Sequence, residues 1–163
     1  HISTGDLFRY EMSHNTPLGE QAKAYMAKGE LVPDSVTIGM LRNKVESHPD
    51  AAGFIFDGFP RTIPQAQALD ELLEEKGTRV TGLFALHVDD EEIVQRIKLR
   101  GLSSGRADDN NESIIRNRIN VYKNETSPVF DYYAEQGKSQ SINGIGEIEE
   151  IFERLSEAIA QLH

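Results

Sequence analysis

The sequence predicts an α/β domain with a largely parallel sheet. Helical and strand-like patterns alternate from end to end, and the strand-like runs are short and continuously apolar, as expected of strands covered on both faces. The helical stretches between them have legible starts and stops.

In chain order, His1-Ile2 reads as the stump of a strand. Thr16-Pro17 opens a helix that stops at Gly29, the hydroxyl serving as cap and the proline taking a position whose N–H needs no partner. Phe54-Ile55-Phe56 is the first full strand, and Pro64 lies in the first turn of a helix that stops at Gly77. Leu83-Phe84-Ala85-Leu86 is the next strand, followed by a helix that opens at Asp89-Asp90 and ends at Gly101. Residues 101–111 carry glycine, serine, aspartate and asparagine without periodicity and read as a mobile surface loop. A long helical pattern runs from Glu112 toward Gly137, bent or broken near Pro128. Ser139 to Ile142 is a weaker strand, and Glu147 to Leu162 a last helix.

A chain of 163 residues, 38% of them apolar, suits one domain with a single core. The formal net charge of -10 disfavours bulk attraction to nucleic acid or to an anionic membrane, so a polyanionic ligand would need a local basic site. The absence of cysteine excludes disulfides and thiolate metal sites. Histidines 1, 14, 48, 87 and 163 lack ligand spacing, so any metal would be a hard ion brought in by phosphate. No apolar stretch approaches membrane-span length and no signal-peptide pattern is present, which fits a cytoplasmic location by default.

The strongest local signal is Phe54-Ile55-Phe56-Asp57-Gly58-Phe59-Pro60-Arg61, an apolar strand that ends in a carboxylate and turns at once. Ligands of open α/β sheets bind beyond the carboxyl ends of strands, which puts Asp57 and Arg61 where chemistry occurs; a solvated turn is the plain alternative. Upstream, Asp6 and Arg9 are spaced for a helical ion pair, and Thr62-Ile63-Pro64-Gln65 fits a capping box. Arg96 and Arg100 lie four apart on one helix face, where they repel unless an anion bridges them, although Glu92 offers Arg96 a simple partner. Arg118 stands among Ile114, Ile115, Val121 and Tyr122 with no local carboxylate, so its guanidinium needs a partner from elsewhere, either a ligand or Asp108 or Asp109. Arg116, with Glu112 one turn back, reads as solvated surface.

The Phe54 to Arg61 octapeptide resembles the signature of nucleoside monophosphate kinases, and Ser3-Thr4-Gly5-Asp6-Leu7-Phe8-Arg9 resembles their monophosphate-binding segment. Ser104-Gly105-Arg106-Ala107-Asp108-Asp109-Asn110 and the arginines around it extend the likeness, which is to the adenylate kinases with a short lid and covers essentially the whole chain. The resemblance implies a three-layer P-loop NTPase-like fold with ATP, AMP and ADP as ligands and Mg2+ carried with ATP. It also implies a monomer without zinc, because the lid has neither the length nor the cysteines for one.

By resemblance, residues 3–32 form the AMP-binding subdomain, 33–100 and 112–163 the core, and 101–111 the lid. AMP would meet Thr4, Gly5, Arg9, Leu31, Val32, Gly58, Arg61 and Gln65, with Arg9 and Arg61 on its phosphate and Gln65 on the adenine edge. Capping and base recognition both stay open for Gln65. Arg96, Arg100, Arg106 and Arg118 would surround the transferred phosphoryl group, and Asp57 would hold magnesium through water. Arg96, Arg100 and the Asn143-Gly144-Ile145-Gly146 turn, including Gly146, would serve ATP.

The family's glycine-rich G-x-x-x-x-G-K loop is absent from these residues. Gly137-Lys138-Ser139 echoes its end, but Tyr132 stands where the first glycine is required. The likeness therefore begins after the family's first strand, loop and helix, and a chain starting at His1 is expected to be part of a longer enzyme. Without the middle strand of that sheet, a void or exposed apolar edges are expected between Phe54–Phe56 and Leu83–Leu86. Two other functions compete: a UMP/CMP kinase of the same fold, and a catalytically inactive AMP-binding fragment. The pyrimidine enzymes resemble Ser-Ala-Gly-Asp and Pro-Arg-Asn at the two motifs, so Thr4, Thr62 and Gln65 favour AMP. An acidic interaction domain would not require six arginines at phosphate positions.

Overall fold

The computed structural model describes residues 1–162; His163 lies outside the described residues. The chain runs β1 (Ile2–Ser3), α1 (Thr4–Ser13), α2 (Pro17–Met26), α3 (Asp34–Glu46), β2 (Phe56–Asp57), α4 (Ile63–Glu75), β3 (Leu83–His87) and α5 (Asp90–Ser104). A 3₁₀ turn at Ala107–Asp109 follows, then α6 (Glu112–Val121), a π turn at Tyr122–Thr126, α7 (Ser127–Ala134), β4 (Ser139–Asn143) and α8 (Ile148–Ala160).

Capping sets most helix starts. Ser3 Oγ accepts from Asp6 N at 3.3 Å, Thr16 Oγ1 from Gly19 N at 3.0 Å, and Asp89 Oδ1 from Glu92 N at 3.0 Å. Asp90, Glu91 and Glu92 crowd the first turn of α5, where the helix dipole favours negative charge. Asn111 caps α6, and Glu147 and Glu150 form a reciprocal box at α8. Helix α3 lacks a side-chain cap, since Pro33 precedes it, which is why the sequence pattern leaves it unannounced.

Both strand pairs are parallel. β1 pairs with β2 in the register Ile2 to Phe56 and Ser3 to Asp57, and β3 pairs with β4 from Leu83–Ser139 to His87–Asn143. The two ladders do not join: where a single central sheet is expected, there are two two-stranded sheets. The break falls between β2 and β3, where the resemblance places a strand that none of these residues supplies. A cleft of about 2190 Å³ opens there, lined by Phe54, Ile55 and Phe56 on one side and by Leu83 to His87 on the other. Ile55 and Leu86 are exposed, as expected of unpaired apolar edges.

The expected single core is divided for the same reason, because a split sheet offers no continuous face for helices to cover. Ile2, Leu41, Val45, Phe59, Leu69, Leu72 and Leu73 join β1, α3 and α4. Phe8, Ala22 and Val32 hold α1 to α2, Ala66, Val129 and Tyr133 hold α4 to α7, and Val94, Ile115 and Ile119 hold α5 to α6. Tyr132 and Tyr133 add hydroxyl donors to Asp70 at 2.8 and 3.0 Å, which ties α7 to α4 with a shared carboxylate. Burial, then Asp70, pushes the Tyr133 phenol well above its ordinary value, so it stays a donor.

Several boundaries differ from the sequence expectation: the strand expected over Phe54–Phe56 forms only at Phe56–Asp57. Helix α5 does not end at Gly101 but runs to Ser104, and Gly105 closes it at φ 66°. Gly101 is instead a point of close approach: a Cβ there would lie 2.7 Å from Asn110 Oδ1 and 2.9 Å from Asp109 O. The expected bend near Pro128 is a π turn just before it, and the proline sits in the first turn of α7, where its missing N–H costs little.

Candidate active site

The octapeptide places its glycine and arginine against α1. Gly58 has φ 72°, and a Cβ on it would come 2.9 Å from Arg61 Nη2 and 3.4 Å from Thr4 Oγ1. Its carbonyl accepts from the Thr4 hydroxyl at 2.9 Å and from Arg61 Nε at 2.8 Å. One peptide group thus joins the start of α1 to the guanidinium that follows β2. Thr4 is buried beneath this contact.

Arg9, Arg61, Arg106 and Arg118 line the same cleft with Gly5, Leu31, Asp57 and Gly58. Arg61 has no carboxylate within salt-bridge distance among the described residues. Burial lowers its pKa, and Arg118 and Arg9 lower it further, with Asp57 opposing. Arg106 behaves in the same way: burial depresses it, then Arg9 and Arg100. Guanidiniums from α1, from the turn after β2 and from the turn after α5 therefore repel one another around one space. Such a concentration of positive charge on a protein of net charge -10 calls for a polyanion. Arg9 is partly neutralised, since it donates to Asp6, whose carboxyl this bond holds below its usual value.

Arg96, Arg100, Arg116 and Arg118 carry protein partners. Arg118 Nη1 reaches Asp108 Oδ2 at 2.9 Å and Asp109 Oδ1 at 3.0 Å, the two carboxylates foreseen as its structural alternative. Arg100 grips Asp109 with two nitrogens at 2.7 and 2.8 Å. Asp109 is 0% exposed; burial pushes its carboxyl up, but the bonds from Arg100 and Arg118 outweigh this and hold it lowered. Arg96 donates to Glu92 at 2.6 Å and to the Gly144 carbonyl at 2.8 Å, away from Arg100. The two α5 arginines thus avoid repulsion through separate oxygens. Arg116 pairs with Glu91 and Glu112 on the surface, as its spacing implies.

Val32 packs in the α1–α2 cluster, and Gln65 is 2% exposed behind the Gly58 turn. Thr62 Oγ1 accepts from Gln65 N at 3.3 Å, which is half of a capping box. The other half is displaced by one residue, because Gln65 Oε1 accepts from Arg61 N at 2.8 Å. Gly146 has φ 121°, and its turn is shaped by Arg154, which donates to the Asn143 and Ile145 carbonyls at 2.8 and 2.6 Å. Arg154 and Asp34 escape a reading of motifs, since both act from helices whose faces only the packing orients.

Asp57, 66% exposed at its side chain, is the last residue of β2, with His1 Nε2 3.6 Å from its Oδ2. No group of three or more His, Asp or Glu side chains gathers among the described residues to hold a metal ion. An exposed carboxylate of this kind fits a hydrated Mg2+ that arrives on phosphates, since this ion keeps several waters and takes few protein ligands.

A glycine turn beyond a parallel strand, walled by converging guanidiniums, marks an α/β protein with a cleft suited to a phosphate-bearing ligand. The adenylate kinase family model matches residues 1–138. Adenylate kinases from Flavobacterium johnsoniae and Flavobacterium psychrophilum are 50% and 51% identical over 162 residues, covering 99% of this chain and 85% of each relative. That of Parabacteroides distasonis is 52% identical over 159 residues, 98% of this chain and 83% of the relative. The chain belongs to the adenylate kinase family.

Proposed function

We propose that the chain serves reversible phosphoryl transfer from ATP to AMP, giving two ADP, and that the cleft around Gly58 receives AMP. The carrying observation is that Arg9, Arg61 and Arg106 line one cleft; burial lowers the pKa of Arg61 and of Arg106, and Arg9 lowers each further, charge that a phosphate would neutralise. Arg9 and Arg61 fix the acceptor phosphate, Thr4 and Gly5 form the floor, and Leu31 and Val32 wall the base while Gln65 reads its edge. Arg106 and Arg118 face the charge that develops in flight, with Arg96 and Arg100 on the donor side, Arg96 bonded to the turn that carries Gly146. Such a reaction needs positioning and charge stabilisation, with no covalent enzyme intermediate. Mg2+ carried with ATP would neutralise charge on the donor phosphates, and Asp57 is the residue that would hold it, through water.

Residues 3–32 act as the acceptor subdomain and 101–111 as the lid, with the remainder as core. The Phe8, Ala22 and Val32 cluster gives the first of these its own packing, and Asp109 holds the second against α5 and α6. Among the described residues no helix is long and apolar enough to cross a membrane; we assign the chain to the cytoplasm as a monomer.

A second reading, AMP binding without turnover, is favoured by the absence of a G-x-x-x-x-G-K motif from the 163 residues. Both readings are tested with the purified full chain by calorimetric titration with AMP, UMP and CMP, alongside ADP formation from Mg-ATP and each acceptor. Binding and turnover with AMP, both lost in Arg61→Ala, support the kinase. Binding alone supports the second reading, and preference for UMP or CMP overturns the assignment to AMP.

A further inference from the structure

Asp34, at the start of α3, is absent from every motif described above, yet its Oδ1 receives two hydrogen bonds from the turn that carries the site. Thr62 Oγ1 donates to it at 2.9 Å and Gln65 Nε2 at 2.8 Å. On its other side the Gln65 amide accepts from Arg61 N at 2.8 Å. A side-chain amide has two faces that differ only by exchange of O and N, and here both neighbours are chemically one-sided. A backbone N–H can only donate and a carboxylate can only accept. Rotating the amide by 180° would set N–H against N–H and oxygen against carboxylate, with both bonds lost in a site that is 2% exposed.

We infer that Asp34 is a positioning residue for base selectivity, which it exerts by locking the orientation of the Gln65 amide. This rests on the reading that Gln65 meets the acceptor's base. An amide so locked keeps one N–H and one oxygen lone pair to offer. Adenine presents an acceptor at N1 and a donor at its 6-amino group, which these can satisfy. Hypoxanthine presents the reverse pair, a donor at N1 and an acceptor at O6. In the same pose it would need the flipped amide, and a site that leaves buried polar groups unpaired rejects its ligand strongly. Selectivity for a 6-amino over a 6-oxo purine is thereby set by a carboxylate that never touches the nucleotide.

The test is calorimetric titration of the full chain with AMP and with inosine monophosphate, which reads binding whether or not the chain turns over. Asp34→Ala removes the acceptor and should lower the ratio of AMP to inosine monophosphate affinity about tenfold or more. Asp34→Asn offers an amide that can donate as well as accept, so it should largely keep AMP affinity yet also lower the ratio, because the flipped Gln65 amide would then find a partner. Equal weakening of both nucleotides in Asp34→Ala, or a ratio unchanged in both variants, would overturn the lock. Gln65→Leu separates the premises: collapse of the ratio there with none in Asp34→Ala defeats the inference alone, whereas an unchanged ratio in Gln65→Leu defeats the reading beneath it. Should Asp34→Ala fail to fold, hydrogen exchange of the Gln65 side-chain amide in the unaltered protein decides, slow exchange of one proton supporting the lock and fast exchange of both overturning it.

Discussion

At the scale of the residue, Arg61 and Asp109 show the same chemistry used in opposite ways. Arg61 is half-buried among other guanidiniums with its charge unspent, whereas Asp109 spends its charge wholly inside the protein. Arg61→Ala should raise the dissociation constant for AMP by about 10- to 150-fold, the equivalent of about 1.5–3 kcal/mol for hydrogen bonds to a charged group, as calorimetry would read it. For Asp109 the sign follows from its lowered carboxyl pKa. Its stabilising contribution is fully present above the ordinary carboxylate value of about 3.9 and is lost as pH falls through the lower folded value. Asp109→Asn should cost about 2 kcal/mol at neutral pH, less than a fully buried pair because Arg100 and Arg118 keep some contact with water. Urea unfolding should also show a shallower acid limb in the variant below about pH 4. The arginines were legible as phosphate-binding candidates, but which of them already had carboxylates was not: Asp108 and Asp109 could be named as alternatives for Arg118, whereas the bidentate claim of Arg100 on Asp109 depends on how the 3₁₀ turn folds back on α5.

At the scale of the element, glycine separates propensity from packing. Gly39 and Gly101 both lie inside helices, α3 and α5, and alanine should favour either helix by about 1 kcal/mol on propensity alone. Nothing lies within 4 Å of a Cβ built on Gly39, so Gly39→Ala should stabilise by about 0.5–1 kcal/mol. At Gly101 the new methyl would meet the backbone oxygen of Asp109, and overpacking of about 1–3 kcal/mol outweighs propensity. Gly101→Ala should therefore destabilise, and a stabilised variant in chemical denaturation would show that the turn after α5 yields easily. Helix starts were readable because caps are local: Thr16, Thr62 and Asp89 each bond an amide three residues on. Helix ends were less so. Gly101 carries the residue type of a stop, but its real task is set by Asn110, nine positions away.

At the scale of the whole molecule, the cleft between the two ladders dominates, and the arginine cluster lies along it. A ligand that neutralises the cluster should stabilise the fold by mass action, by about 2.7 kcal/mol at a hundredfold excess over its dissociation constant. AMP should raise the unfolding temperature in a thermal melt and adenosine should raise it far less, since adenosine brings no phosphate. Equal shifts would show that the base contacts rather than the arginines hold the ligand. By itself, the amino-acid sequence determined the alternation of strands and helices, the parallel sense of the pairing and the family, because these depend on periodicity, caps and motifs that span a few residues. Only the tertiary structure decided that the core is four clusters around a divided sheet, that Arg96, Arg100 and Arg118 are already paired, and that Asp34 stands behind Gln65. Those outcomes depend on which side chains meet across long separations, 31 residues between Asp34 and Gln65 and 48 between Arg96 and Gly144, and no local pattern encodes such a meeting.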